Sequence, residues 1–202
     1  MIFIEGNIGT GKSTFLTHLS NEFKVILEPV DEWSKMKNAN GKNILEEFYS
    51  DPARNAYLFQ SIAFRSRMKN IVHKEDALIE RSIYTDRNVF AKTCREDGLI
   101  GDIEWEDYVS WFDWLTTEFQ VQPKGFVYLR CEPEVSLGRI KKRNRPGEEN
   151  ISLEYLKKLH VKHDEWLLNA QKVLVLDVND DSTPENLEDM VSRIRCFFGV
   201  CA

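Results

Sequence analysis

The sequence predicts an α/β fold, a doubly wound five-stranded parallel sheet. Three observations point there. Short apolar runs alternate with helical stretches along the whole chain. A glycine loop of the form G-x-x-x-x-G-K-S directly follows the first run. Charged residues gather just past the ends of the runs. The 202 residues, 42% of them hydrophobic, suit a single domain spanning 1–202 with one sizeable core.

The elements follow in order. A buried strand is predicted at Ile2–Glu5, then the loop Gly6-Asn7-Ile8-Gly9-Thr10-Gly11-Lys12-Ser13, then a helix over Ser13–Leu19 with Phe15, Leu16 and Leu19 on one face. The second strand is predicted at Lys24–Glu28 and the third at Ala77–Glu80, with helices at Ile44–Tyr49 and Pro52–His73 between them. Helices at Tyr84–Glu96 and Glu104–Phe119 lead to a fourth strand at Phe126–Arg130. Helices at Pro133–Lys142 and Leu153–Ala170, a strand at Val173–Asp177 and a helix at Pro184–Phe198 complete the chain. Pro133 and Pro184 suit a first helical turn, the latter with Thr183 as N-cap. The runs are short, apolar and partly β-branched, as in a parallel sheet covered on both faces.

A strand, a glycine loop and a helix in this order let backbone N–H groups surround phosphate oxygens at a helix N-terminus. Residues Gly6, Asn7, Ile8, Gly9, Thr10, Gly11, Lys12, Ser13 and Thr14 are therefore expected to hold a nucleoside triphosphate. Lys12 is expected on the β- and γ-phosphates and the Ser13 hydroxyl on Mg²⁺. Ligands of doubly wound sheets bind beyond the carboxyl ends of the strands. Glu28, Glu80-Arg81 and Asp177 to Asp181 fall there. Glu28 could take a proton from an attacking hydroxyl, and Glu80 could hold Mg²⁺ directly or through water. Arg139 and Arg143 share a helix face, Arg145 follows, and the helix breaks at Pro146-Gly147. That pattern reads as an arginine lid over phosphates, about residues 139–149.

Bulk properties exclude other classes. A net charge of −6 argues against a general nucleic-acid binder. No apolar run is long enough to cross a bilayer. The four cysteines lack metal-ligand spacing and read as reduced thiols, which points to the cytoplasm. No targeting peptide is expected ahead of the first strand.

Five motifs occur in one order: Gly-Asn-Ile-Gly-Thr-Gly-Lys-Ser-Thr, Glu-Pro-Val-x-x-Trp, Pro-x-Arg-x-x-x-x-Phe-Gln, Glu-Arg-Ser-x-Tyr-x-Asp-Arg and Arg-x-x-x-Arg-x-Arg. Together they resemble the deoxyribonucleoside kinase family, closest to its deoxycytidine and deoxyguanosine branch, from Met1 to about Phe198. The resemblance implies a P-loop kinase with an arginine lid, using ATP and Mg²⁺ to phosphorylate a deoxynucleoside. It implies that Glu28 is the general base, that Arg81 contacts Glu28 and the transferring phosphate, and that Glu80 is the Mg²⁺-associated carboxylate. Lys12, Arg139 and Arg143 would serve the transferring phosphate, with Arg145 also in the lid. Gln60 would pair with the base edge, Phe90 would stack on the base, and Trp33, Leu45, Phe48, Phe59 and Ala63 would wall the pocket. Tyr49 and Glu148 would hold the sugar 3′-hydroxyl. Asn179, Asp180 and Asp181 fall where the family's loop meets the ATP base. Without the resemblance, Phe59, Phe64 and Phe90 read as ordinary core.

Arg67 and Asp86 are expected to pair at the floor of the base pocket. In the family, thymidine-preferring members tend to be apolar at the first position and small at the second. Deoxycytidine or a purine deoxynucleoside is thus expected ahead of thymidine. The predicted helix Glu104–Phe119 is apolar around much of its girth, and the family forms homodimers in this region, so a homodimer is expected. Two alternatives remain: a nucleoside monophosphate kinase, and a non-catalytic assembly subunit.

Overall fold

The computed structural model describes residues 1–72, 74, 76–180 and 183–199. Its elements are β1 (Ile2–Glu5), α1 (Lys12–Leu19), β2 (Val25–Ile26), α2 (Val30–Lys35), α3 (Ile44–Ser50), α4 (Pro52–Ile71), β3 (Leu78–Glu80) and α5 (Ile83–Thr85). A π-helical turn (Asp86–Ala91) leads to α6 (Lys92–Glu96), α7 (Asp102–Glu118), β4 (Gly125–Arg130) and α8 (Pro133–Arg143). A 3₁₀ turn (Glu148–Asn150), α9 (Leu153–Leu167), β5 (Val173–Asp177) and α10 (Pro184–Phe198) follow.

The five strands form one parallel sheet in the order β2-β3-β1-β4-β5. All strands run the same way, so the P-loop, Glu28 and Glu80-Arg81 emerge on one rim. Alternation along the strands sends side chains to two cores. Phe3, Ile79, Phe126 and Tyr128 pack with Phe64, Met68, Tyr108 and Phe112 of α4 and α7. Ile2, Ile4, Leu78, Val127 and Leu129 pack with Phe15, Leu16 and Leu19 of α1 and with Val191 and Ile194 of α10. Burial on both faces explains why the central strands β1, β3 and β4 read as nearly continuous apolar runs.

Three local readings need correction. The second strand spans only Val25–Ile26, because it is an edge strand paired to β3 alone. Leu27 and Glu28 leave the ladder, and Val30–Lys35 coil into a helix that the sequence reading did not predict. The helix predicted at Tyr84–Glu96 is interrupted by the π turn, which widens the coil between Asp86 and Phe90. Such turns recur at functional sites. The helix predicted from Glu104 starts at Asp102, because the Glu104 carboxylate reaches back 2.8 Å to the Gly101 N–H. The expected end of the long helix at His73 lies outside the described residues. Pro133 and Pro184 stand in first helical turns, and the Thr183 side chain caps α10 at the Asn186 N–H.

Candidate active site

The loop after β1 has its shape because two of its positions exclude a side chain. A Cβ on Gly6 would stand 2.6 Å from the Leu129 carbonyl oxygen, and one on Gly9 would stand 2.6 Å from that of Ser136. The loop is thus wedged between β4 and α8, and only glycine fits. The Asn7 side chain donates to the Leu156 carbonyl at 2.8 Å and accepts from the Ile8 N–H, which braces the loop against α9. Thr10 bonds the Asn7 carbonyl. Lys12 is buried, and its ammonium folds back on the carbonyls of Gly6 (3.1 Å) and Asn7 (2.7 Å). Burial, reinforced by the Arg81 charge, lowers its pKa to about 7.

Two oxygens stand where the sequence reading expected a cation. The Ser13 hydroxyl donates to the Glu80 carboxylate at 2.6 Å, and the other Glu80 oxygen accepts the Glu28 N–H at 3.2 Å. Among the described residues, no group of three or more His, Cys, Asp or Glu is assembled to hold a metal ion. One hydroxyl and one carboxylate fit Mg²⁺, which keeps waters and phosphate oxygens as its remaining ligands.

A chain of four charges crosses the cleft. Arg67 Nε donates to Asp86 at 2.8 Å, and its Nη2 donates to Glu28 Oε1 at 2.9 Å. Arg81 Nε donates to the same Glu28 oxygen at 3.3 Å, and its Nη1 donates to the Gly6 carbonyl at 3.1 Å. Both arginines and Asp86 are buried. Burial acts to raise the Glu28 pKa, but Arg67, Arg81 and Lys12 overcome it and hold it at about 2. Burial pushes Asp86 up against the opposing pull of Arg67. The Arg67–Asp86 pair was expected from the sequence, but the arm from Arg67 to Glu28 was not. Arg81 also takes φ 62°, a left-handed backbone rarely adopted by a residue with a side chain. Strain of this kind concentrates at functional sites.

The residues expected to wall a base pocket line one cleft. Phe59 stacks on Phe48 at 4.9 Å and meets the edge of Trp33 at 5.4 Å, and the Trp33 indole is fixed to Ser66. Leu45, Tyr49, Ala63 and Glu148 share this cleft with the P-loop. Phe90 lies 4.5 Å beneath the Arg81 guanidinium and 6.1 Å from the buried His163 ring, so it lines the cleft instead of filling a core. Gln60 is buried; its Nε2 points to Cys94 Sγ at 3.9 Å and its Oε1 has no partner. Burying an unpaired amide oxygen is costly, which suits an oxygen kept for a ligand donor.

The lid is divided. Arg143 and Arg145 face the cleft and both bond Glu148. Arg139 departs from the reading. Its guanidinium donates to the carbonyls of Val178 (2.7 Å), Asn179 (3.2 Å) and Asp180 (2.7 Å), one helical turn away from the cleft-facing Arg143. The i,i+4 spacing places both on α8, but the loop after β5 supplies three acceptors within reach of Arg139. The Asn179 side chain bonds the Glu132 N–H and Asp177, while Asp181 lies outside the described residues.

Sequence reasoning missed two participants. Glu5 is fully buried at the end of β1 and accepts from the Ser82 N–H (2.9 Å) and the Thr85 hydroxyl (2.6 Å), fixing the turn that carries Arg81 and Asp86. A carboxylate inside an apolar strand was the available signal. Tyr155 lines the cleft with a buried hydroxyl that has no partner, and nothing in the sequence separated it from other helical tyrosines.

A phosphate loop facing an arginine-held carboxylate, beside a flat aromatic slot, defines a P-loop kinase. The particular family follows from comparison: this chain belongs to the deoxynucleoside kinase family, whose profile matches residues 2–198. It is 36% identical to deoxycytidine kinase 2 of Gallus gallus, over 97% of this chain and 89% of that protein. It is 35% identical to deoxycytidine kinase of Homo sapiens, over 97% and 90%. Mitochondrial deoxyguanosine kinase of Xenopus laevis is 32% identical, over 96% and 88%. Among the described residues, no helix is long and apolar enough to cross a membrane.

Proposed function

We propose that this enzyme transfers the γ-phosphate of ATP to the 5′-hydroxyl of a deoxynucleoside in nucleotide salvage, favouring deoxycytidine or a purine deoxynucleoside over thymidine. The observation that carries the reading is Glu28, an anion opposite the P-loop. A hydroxyl acceptor needs a proton acceptor there, whereas a monophosphate acceptor needs cations. Both arginines bond Glu28 Oε1, which leaves Oε2 to accept the 5′-hydroxyl proton. With its pKa near 2, the carboxylate is ionised throughout the physiological range. Such a base is weak, which suits a loose transition state in which the proton moves late.

The remaining residues bind and orient. Ser13 and Glu80 would hold Mg²⁺, which would neutralise phosphate charge when bound. Lys12, Arg81 and Arg143 supply positive charge around the transferring group. Asn179, Asp180 and Asp181 would border the ATP base. Arg139 would serve the donor site by holding that loop through its three carbonyl bonds. Phe59 and Phe90 offer aromatic surfaces to a heterocycle, and Gln60 Oε1 accepts from an exocyclic amino group. Arg67 crowds the space a thymine methyl needs. Tyr49 and Glu148 hold the sugar 3′-hydroxyl. Trp111 and Trp114 leave much of their surface open on α7, which supports a homodimer. Free thiols at Cys94, Cys131 and Cys196 are the support for a cytoplasmic location.

The test is phosphate transfer from labelled ATP to a panel of nucleosides and the matching monophosphates. Transfer to deoxycytidine or a purine deoxynucleoside, with none to monophosphates, is expected. Transfer to monophosphates alone, or no transfer at all, overturns the reading.

A further inference from the structure

Within the lid, Arg145 and Pro146 are flanked by two left-handed residues, Asn144 (φ 49°) and Gly147 (φ 89°). Gly147 sits directly on α3: a Cβ there would be 3.0 Å from Glu46 Cγ and 3.3 Å from Glu46 Cα. The residue after it, Glu148, is therefore delivered against the helix that carries Tyr49. Glu148 is only 5% exposed, yet it receives both lid arginines, Arg143 at 2.6 Å on Oε2 and Arg145 at 3.2 Å on Oε1. Arg145 and Glu148 also line a second cavity behind the lid, with Leu137, Ile140 and Ile151. The turn thus has room on its far side.

One carboxylate has two oxygens, and here each carries an arginine. Each oxygen keeps a second lone pair, so a sugar hydroxyl that reaches Glu148 is a third donor drawing on the same negative charge as the two guanidiniums. We infer that Glu148 is a shared latch: engagement of its carboxylate by the sugar 3′-hydroxyl loosens Arg143 from it and frees that guanidinium for the triphosphate. Nucleoside and donor then bind with positive coupling, and the coupling runs through the 3′-hydroxyl. Such coupling is reciprocal, and it requires differential contacts that both ligands make with one element. Here that element is the Arg143–Glu148–Arg145 cluster. This inference rests on the kinase reading above.

The experiment is calorimetric titration of the enzyme with the non-hydrolysable β,γ-methylene analogue of ATP and Mg²⁺. It is run alone, with the best deoxynucleoside of the panel, and with the 2′,3′-dideoxy form of that nucleoside at saturation. The deoxynucleoside is expected to tighten donor binding about fivefold or more, the lower end of measured couplings, and the dideoxy form to leave it unchanged. Glu148→Gln keeps the shape and drops the charge. It is expected to bind the donor analogue more tightly than wild type without nucleoside, and to lose the coupling. Equal tightening by both nucleosides overturns the latch. So does a Glu148→Gln protein that folds, by circular dichroism, and binds the donor no better than wild type. Should that variant not fold, the dideoxy comparison decides alone. Phosphate transfer measured on the same preparation separates the two failures: transfer without coupling removes only the latch, and no transfer removes the kinase reading.

Discussion

Replacing Arg67 alone and together with Asp86 is the sharpest perturbation the structure offers. Arg67→Met removes the cation that joins Asp86 at 2.8 Å and Glu28 at 2.9 Å, with both side chains of the Asp86 pair at 3% exposure or less. Asp86 is left buried without a counter-charge, while Glu28 keeps Arg81. Breaking a buried pair in this way costs about 3–5 kcal/mol. For a domain of this size each kcal/mol lowers Tm by roughly 2–4 °C, so a fall of about 6–20 °C is expected. Adding Asp86→Ala removes the stranded carboxylate and should recover much of that loss, because replacing both members of a buried pair by apolar residues is often near neutral. The two changes are therefore strongly non-additive, with the double variant more stable than Arg67→Met. It should also admit thymidine, because the guanidinium proposed to crowd the thymine methyl is gone. The ratio of kcat/KM for the preferred deoxynucleoside over thymidine should fall by on the order of 10²-fold. Urea unfolding of the four proteins of the cycle and steady-state assays on both nucleosides provide the readouts. Additive stabilities would show that the buried pair carries no coupling. A wild type that prefers thymidine would sink the selectivity claim.

Other expected outcomes are as direct. Glu28→Gln should lower kcat by about 10²-fold or more while a binding titration shows nucleoside affinity changed far less; near wild-type turnover would turn attention to Asp31 or Glu32. Lys12→Ala and Arg143→Ala should each lower kcat with modest effects on nucleoside affinity, and a variant altered only in nucleoside affinity would move that residue out of the phosphate site. Burial acts to raise the Asp164 pKa, but hydrogen bonds from Arg130 and Tyr128 outweigh it and leave the pKa below its ordinary value. The stability this supplies is full above the unfolded pKa near 4 and is lost as pH falls through the folded one. Asp164→Asn should thus be less stable than wild type at pH 7 by up to about 1 kcal/mol, the gap closing on acidification; a gap independent of pH contradicts the assignment. Sedimentation at micromolar concentration should show a dimer, and Trp111→Glu with Trp114→Glu a monomer; a wild-type monomer refutes the interface.

The linear chain carried the architecture because the relevant signals are local. Strand β1, the glycine loop and α1 are contiguous, so backbone geometry, phosphate chemistry and motif spacing coincide within Ile2 to Leu19. The parallel sheet followed from short runs that are mostly apolar without polar alternation, the mark of strands covered on both faces. A parallel sheet then places every strand end on one rim, which made Glu28, Glu80 and Arg81 legible as neighbours before any coordinates.

Tertiary structure decided what depends on competition between partners. Arg139 and Arg143 are equivalent by spacing, yet three carbonyls after β5 claim the first and Glu148 claims the second. Arg67 was legible as a partner of Asp86, but its second arm reaches Glu28, 39 residues away in sequence, only because α4 passes beside the end of β2. The π turn at Asp86 and the left-handed backbone of Arg81 have no sequence signature, and the Glu5 carboxylate, distant in sequence, bonds Ser82 and Thr85 between them. Spacing specifies which face a side chain occupies. Which neighbour wins its hydrogen bonds is set by the packing of elements distant in sequence, and that packing decided whether each charge at this rim serves structure or substrate.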